Sequence, residues 1–370
     1  MRLFKTFGYA AAAALSAICF ISCATGSDEG LALAEPFSDG MIIAKDKPSH
    51  VFGEGSGRIL VRITGEKDGA TEFLAAGAAR ATDGKWDARI PAIKAGGPYT
   101  LTVSSKSGEI VVNDVYSGNV IMVAGQSNMQ YKLHESSTPE EEWTGDPLLR
   151  SYSLPRMEEG EPFSPEDGWV KCTEANAGDW SAIGYHVGKL IREKTGEPTA
   201  IINCYQGASD IETWIPKEIS SRPEYTLPDE LTHIDHRWGY EWNFPGVLYD
   251  FALSRIFPYT LSQVVWYQGE SNTGKGEYKI YPAMARELVT SWRKAFMDPK
   301  LPFIMIQIAD YDHRQDEAWK NLQVSQMIIP SIVEGVTVVP CADVCESDNI
   351  HPKTKSVLAA RIADTILANN

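Results

Sequence analysis

Val120-Ile121-Met122-Val123-Ala124-Gly125-Gln126-Ser127-Asn128-Met129 is the stretch on which the reading of this chain turns. Five apolar, β-rich residues in a row suit a strand buried on both faces, as in a parallel sheet covered by helices. Gly125 permits a sharp turn and a close approach of the backbone to a ligand. Ser127 then stands just beyond the strand's carboxyl end, where such sheets carry their chemistry. The same Gly-x-Ser grammar closes two further apolar runs. Thr199 to Tyr205 leads into Gly207-Ala208-Ser209, and Gln263 to Tyr267 leads into Gly269-Glu270-Ser271. A single Gly-x-Ser recurs by chance, but three of them, each ending a β run, aim amides and hydroxyls into one crevice. None is Gly-x-Ser-x-Gly, because Met129 and Ile211 hold the second glycine's place. The strict nucleophile elbow is therefore absent.

Outward from these turns, strands alternate with helices. Ser181 to Lys194 puts Ile183, Val187, Leu190 and Ile191 on one helical face, with Gly196 as a stop. Pro302 to Ile308 reads as another strand, and helices are expected over about 276 to 297 and about 353 to 368. This alternation, sustained over ~250 residues, predicts a parallel sheet with helices on both faces. Residues 31 to 116 read differently. Val51-Phe52-Gly53, Ile59 to Ile63 and Tyr99 to Val103 are short β runs separated by turn clusters such as Asp83-Gly84-Lys85 and Gly96-Gly97-Pro98. That spacing suggests a small sandwich. The expected organisation is a leader over 1–23, a β-sandwich domain over 24–114 and an α/β domain over 115–370. A chain of 370 residues is comfortable for two domains.

The leader has a positive start, Arg2 and Lys5, and an apolar run from Phe7 to Ile21. That run is shorter than the ~20 residues a spanning helix needs. Ser22-Cys23 closes it like a bacterial lipoprotein cleavage box, so Cys23 is the expected lipidation site and the chain is expected to be exported, as an outer-membrane lipoprotein. Ordinary cleavage near Ala24, giving a periplasmic or secreted protein, is the alternative. The formal net charge of −15 disfavours nucleic acid and anionic membrane surfaces as partners. Membrane association is therefore expected only through the lipid. Cys172, Cys204, Cys341 and Cys345 remain after the leader, an even number that permits three pairings. Cys341 and Cys345 could close a small loop, whereas Cys204 reads as a buried strand residue. No Cys-x2-Cys pair is present to suggest a structural zinc site.

Asp348-Asn349-Ile350-His351-Pro352 completes the chemistry. Pro352 suits the first turn of the last helix, and a histidine just before that helix would project into the crevice. A serine hydroxyl is a poor nucleophile until a base takes its proton, and the base needs a partner to hold its tautomer. Asp348, three residues before His351, supplies that partner from the same segment. The candidate set is therefore Ser127 as nucleophile, His351 as base and Asp348 as its orienter, with no metal and no cofactor required.

Together, Gly125-Gln126-Ser127-Asn128-Met129, Trp266 to Asn272 and Asp348-x-x-His351 resemble the sialate O-acetylesterase family of SGNH hydrolases. Carbohydrate esterase family 6, the acetylxylan esterases, shares much of this pattern. Phe37-Ser38-Asp39-Gly40-Met41, Asp83-Gly84-Lys85-Trp86 and Gly96-Gly97-Pro98-Tyr99 are similar to the small β domain that precedes the catalytic one, and Trp180 to Tyr185 and Ile211 to Trp214 match expected places. The resemblance implies a three-layer α/β/α fold and a serine esterase that removes O-acetyl groups from sialic acids through an acetyl-enzyme. It implies an oxyanion hole made by the amides of Ser127 and Gly207 and a side-chain amide from the third turn. The superfamily's Asn position is Ser271 here, so Gln268 or Asn272 must serve, and the Gln-Gly-Glu run favours Gln268. Glu270 either orients a catalytic group in place of Asp348 or holds the turn. Glu270, Asn272 and Gln126 are the candidate supporting residues.

His233-Ile234-Asp235-His236 carries metal-type residues, but its spacing fits neither HExxH nor a finger. It reads as a polar loop over the crevice, within an irregular stretch from about 215 to 245 expected to line the acceptor side. Arg237, Trp238 and Trp242 are its candidate sugar contacts. Tyr278, Tyr281 and Trp292 read as core residues of a helix. Two other functions compete. One is an acetylesterase acting on xylan or another carbohydrate. The other is an inactive surface glycan-binding protein, whose mark would be substitution of Ser127, Asp348 or His351, and all three are present.

Overall fold

The computed structural model describes residues 30–157, 168–232, 240–314 and 316–369. Its first strands are β1 (Ala32–Leu33), β2 (Ile42–Ala44), β3 (Ser49–Glu54), β4 (Arg58–Lys67), β5 (Ala70–Arg80), β6 (Lys85–Ile90) and β7 (Gly96–Ser105). β3 pairs antiparallel with β1 and β6, and β4 pairs antiparallel with β5 and β7. Strand alternation sets the inner face. Ile59, Val61 and Ile63 of β4 are buried while Arg58, Leu60 and Arg62 face solvent, and Trp86, Ala88 and Ile90 do the same on β6.

β8 (Gly108–Gly125) carries the chain onward without a linker. Its first part pairs antiparallel with β7, and Asn119 to Gly125 form the centre of the main sheet. The expected domain boundary between 114 and 115 thus falls inside one continuous strand, next to a residue, Asp114, with φ of +56°. There follow α1 (Ser127–Gln130), β9 (Asp146–Ser153), β10 (Trp169–Cys172), α2 (Glu174–Ala177), α3 (Ala182–Thr195) and β11 (Thr199–Tyr205). Then come α4 (Lys217–Ser220), α5 (Val247–Phe251), β12 (Gln263–Tyr267), α6 (Glu277–Ala295), β13 (Phe303–Ile306), α7 (Glu317–Met327), β14 (Val336–Val339) and α8 (Ser356–Asn369).

The main sheet runs in the order β10-β9-β11-β8-β12-β13-β14. Every pairing from β9 to β14 is parallel, and β10 joins the edge antiparallel. Successive residues point to opposite faces. Ile121, Val123, Ile201, Val265 and Ile304 pack against Ile183 and Val187 of α3 and Leu358 and Ile362 of α8. Val120, Met122, Ile202, Val264 and Trp266 pack on the other side against Met284, Leu288 and Trp292 of α6. The expectation of a mixed α/β fold on a central parallel sheet is met, and Tyr281 and Trp292 are core residues.

α3 ends where its sequence stop stands, and Ser181 caps its start. Ser181 Oγ accepts from the Gly184 amide at 3.1 Å, and Gly196 takes the left-handed conformation after the last turn. The cysteines do not pair: Cys172, Cys204, Cys341 and Cys345 are free thiols. Cys172 and Cys204 lie in the apolar layers on opposite faces of the sheet. In place of a Cys341–Cys345 bridge, one of the pairings the sequence left open, Cys341 Sγ donates to the Gln307 carbonyl at 2.9 Å. Among the described residues no helix is long and apolar enough to cross a membrane. Cys23 lies outside the described residues.

Candidate active site

β8, β11 and β12 are adjacent, and their register places Gly125 opposite Tyr205 on one side and Tyr267 on the other. The three Gly-x-Ser turns therefore leave the sheet side by side. Gly125 has φ of +131°, and a Cβ there would stand 2.1 Å from the Tyr267 carbonyl oxygen. No other residue fits. Backbone pairing continues into the turns, with the Gln126 amide donating to Tyr267 O and the Gln206 amide to Gly125 O, both at 3.0 Å. Gln126 is buried, and its Oε1 accepts from the amides of Gly269 and Ser271 at 3.2 Å each. It fastens the first turn to the third.

Ser127 opens α1 and is half-buried. Its Oγ lies 2.8 Å from His351 Nε2, so the structure brings together two residues separated by 224 positions. Burial, with Lys355 as a nearby cation, lowers the pKa of His351 below the usual histidine value, while Glu135 opposes the shift. The ring is thereby kept in its neutral form, which can accept the serine proton. The Tyr131 ring flanks the imidazole, with centroids 6.0 Å apart.

Asp348 does not meet the expectation placed on it. Its side chain is exposed, and among the described residues no hydrogen bond joins it to His351. Asn349 Oδ1 instead accepts from the His351 backbone amide at 2.9 Å, forming a local turn that leaves the aspartate outside. Glu270 is not on the ring either. It is buried, its Oε1 accepts from Asn128 Nδ2 at 2.5 Å, and burial raises its pKa.

The third turn's carboxamides are spent inside the protein. Gln268 is fully buried, and its Nε2 donates to Ser209 O at 3.1 Å and to Asn272 Oδ1 at 2.7 Å. Its Oε1 accepts from the Tyr281 hydroxyl. Asn272 Nδ2 donates to Glu212 Oε2 at 3.0 Å, and its Oδ1 also accepts from the Ile211 amide. The expectation that Gln268 faces the oxyanion is corrected by this packing, because both of its N–H bonds have protein partners. The Gly207 amide faces the site, where it donates to Gln130 Oε1 at 2.8 Å. A Cβ placed on Gly207 would lie 3.9 Å from Ser127 Cβ. An oxygen acceptor beside Ser127 thus already occupies this amide. Ala208, which follows it, has φ of +54°, a strained conformation for alanine that aims the turn.

Two residues of the site escaped the sequence reading. Asn128 follows Ser127 and is buried; Lys355 follows His351 by four positions and is fully buried. Asn128 stands in the quoted motif but carries no proton chemistry, and Lys355 looks like any lysine at the start of a helix. Only a buried lysine without an acidic neighbour in sequence could have signalled it, and burial is not readable there.

Trp242 is buried at 9% exposure, stacked on Tyr240 at 4.4 Å and part of the core, which corrects its assignment as a sugar contact. Arg237, Trp238 and the His233–His236 run lie outside the described residues. A cleft of about 560 Å³ lined by Thr232, Thr273, Tyr278, Arg314 and Glu317 includes neither Ser127 nor His351. No cluster of three or more metal-ligating side chains occurs among the described residues.

Residues 117–368 match the model of a carbohydrate esterase family described as sialic acid-specific acetylesterase. The chain is 22% identical to the sialate O-acetylesterase of Rattus norvegicus, covering 91% of this chain and 73% of the relative. It is 23% identical to that of Homo sapiens, covering 90% and 70%. A carbohydrate acetylesterase from Xanthomonas citri is similar in structure, with a TM-score of 0.73 and 28% identity over 90% of this chain and 73% of that one.

Proposed function

The chain belongs to the sialic acid-specific acetylesterase family of carbohydrate esterases and is a carboxylic ester hydrolase, and on that premise we propose that it removes O-acetyl groups from sialic acids through an acetyl-serine intermediate on Ser127. The observation that carries this reading is the 2.8 Å contact between Ser127 Oγ and a half-buried His351 Nε2 at the carboxyl end of the central strand. In the proposed reaction His351 takes the hydroxyl proton as Ser127 Oγ attacks the acetyl carbonyl. The resulting oxyanion is received by the Ser127 and Gly207 amides once the Gln130 carboxamide swings away. Gln130 Oε1, 2.8 Å from the Gly207 amide, occupies the position such an oxygen would take. His351 then returns the proton to the departing sugar oxygen. Water, deprotonated by the same ring, releases acetate and restores the serine.

Asp348 orients the ring in this scheme only after its own side chain turns inward around the bound substrate, with Ile350 still held by Asn128; catalytic hydrogen bonds commonly tighten at that stage. Glu270 holds the third turn against Asn128. One feature favours a second reading, hydrolysis of acetyl esters on a neutral sugar such as xylan, because a net charge of −15 disfavours approach of an anionic substrate.

Acetate release from 9-O-acetylated sialic acid and from acetylated xylan, by the native chain, Ser127→Ala and Asp348→Asn, tests these points together. Ser127→Ala is expected to lose at least about 10³-fold in kcat, and retained activity would sink the mechanism. A native rate in Asp348→Asn would remove Asp348 from it, and equal rates on both sugars would remove only the substrate preference.

A further inference from the structure

The nucleophile and its base stand on a buried polar link that the esterase scheme does not use. Lys355 is 0% exposed, and its Nζ donates to Asn128 Oδ1 at 2.6 Å. The same ammonium lies 5.0 Å from the Tyr131 ring centroid and 5.5 Å from that of Tyr267. Because a cation can face only the oxygen of the carboxamide, Asn128 Nδ2 must point the other way. There it donates to Glu270 Oε1 at 2.5 Å and to the Ile350 carbonyl at 2.9 Å. Ile350 immediately precedes His351, and Asn128 immediately follows Ser127. One buried carboxamide therefore ties the nucleophile's helix to the third turn and to the histidine's loop, and Lys355 sets its orientation.

Stability alone gives no reason for this arrangement. Burying an ammonium is costly, and the burial pushes the pKa of Lys355 down to about 8. Lys355 immediately precedes α8, its carbonyl accepting from the Ala359 amide, and the positive end of a helix dipole disfavours a cation. Glu270 is only partly satisfied as well, since its Oε2 is buried with no hydrogen-bond partner among the described residues.

We propose that Lys355 is a positioning residue of the esterase, acting through Asn128 to hold His351 in reach of Ser127. The inference rests on the reading of Ser127 and His351 given above. Without the ammonium, the Asn128 carboxamide is free to rotate and the Ile350 carbonyl loses its donor. The histidine loop then drifts from the serine, and misplacements of about 1 Å cost catalysis as much as ~10²-fold. The charged and titratable groups acting on Lys355 are Glu270, Cys341, Cys345 and Glu346, and those acting on His351 are Lys355 and Glu135.

The test uses the full chain with p-nitrophenyl acetate, active sites being counted by an organophosphonate that labels the serine. Lys355→Met is expected to lower kcat per labelled site about 10–100-fold with KM changed by less than about twofold. Its acid limb in kcat/KM is expected to move to higher pH, because an imidazole without a cation nearby holds its proton more firmly. Asn128→Ala is expected to lose kcat similarly while keeping the native acid limb, and the double variant to be no worse than Lys355→Met. A kcat per site within about twofold of native in Lys355→Met, or independent losses that multiply in the double variant, overturns the proposal. If Lys355→Met does not fold, Asn128→Ala decides alone, a native kcat per site overturning the link and a tenfold loss supporting it. Ser127→Ala in the same assay separates the two levels. Undiminished hydrolysis there overturns the serine reading and this inference with it, whereas loss there beside a native rate in Lys355→Met overturns the inference only.

Discussion

His351 is the residue on which the pH behaviour of the site depends. In the proposed mechanism its imidazole accepts the Ser127 proton only when neutral, and burial together with Lys355 holds its pKa below the ordinary value. The acid limb of kcat/KM is therefore expected to fall below pH ~6.5, the midpoint of an unperturbed histidine. A pH series with a neutral acetyl ester checks this; a midpoint at that value would mean that the ring is more solvated than the structure shows, and one above it that a carboxylate holds the proton on the ring. Ser127 and His351 stand out in the sequence because each sits in a local pattern, a turn after a strand and an Asp-x-x-His-Pro segment near the end of the chain, although the last helix opens at Ser356 and not at Pro352. Gln268 was misread for the opposite reason. Its run of sequence is distinctive, but the direction of its carboxamide is decided by Ser209, Asn272 and Tyr281, which come from other parts of the fold.

At the scale of single elements, β8 and α3 show how the site is carried. β8 belongs to both sheet environments, so the position of Ser127 is fixed by pairing on either side of Gly125 rather than by its own turn. α3 packs against that sheet and holds His186, whose Nε2 lies 2.9 Å from Thr138 Oγ1. Burial, with Lys189 adding to it, pushes the pKa of His186 down to about 4. Between pH ~6.5 and 4 the unfolded chain binds a proton there that the folded chain does not, so stability falls as the pH falls. Allowing for partial exposure, the loss reaches about 2 kcal/mol at pH 4.5. Urea unfolding at pH 7 and 4.5 is expected to show a difference smaller by about that amount in His186→Gln; an equal difference would place the acid sensitivity elsewhere.

Over the whole molecule the strongest physical constraint is charge. A net charge of −15 and the proposed substrate, an anionic acetylated sugar, repel each other beyond contact distance. Raising ionic strength from 0.01 to 0.15 M shortens the Debye length from about 30 to about 8 Å. KM for 9-O-acetylated sialic acid is expected to fall several-fold across that range while KM for p-nitrophenyl acetate stays level. Equal behaviour of the two would mean that the mouth of the site is locally uncharged.

The sequence by itself determined what depends on near neighbours along the chain. The strand runs, the helix stop at Gly196, the three Gly-x-Ser turns and the histidine ahead of the last helix all follow from local sterics and periodicity. The tertiary structure alone decided which polar groups face one another across those turns. It buried Gln268 and Trp242, turned Asp348 to solvent, and joined Lys355 to Asn128 across 227 positions. The orientation of a carboxamide or an ammonium is a choice among partners, and those partners come together only once the sheet has closed.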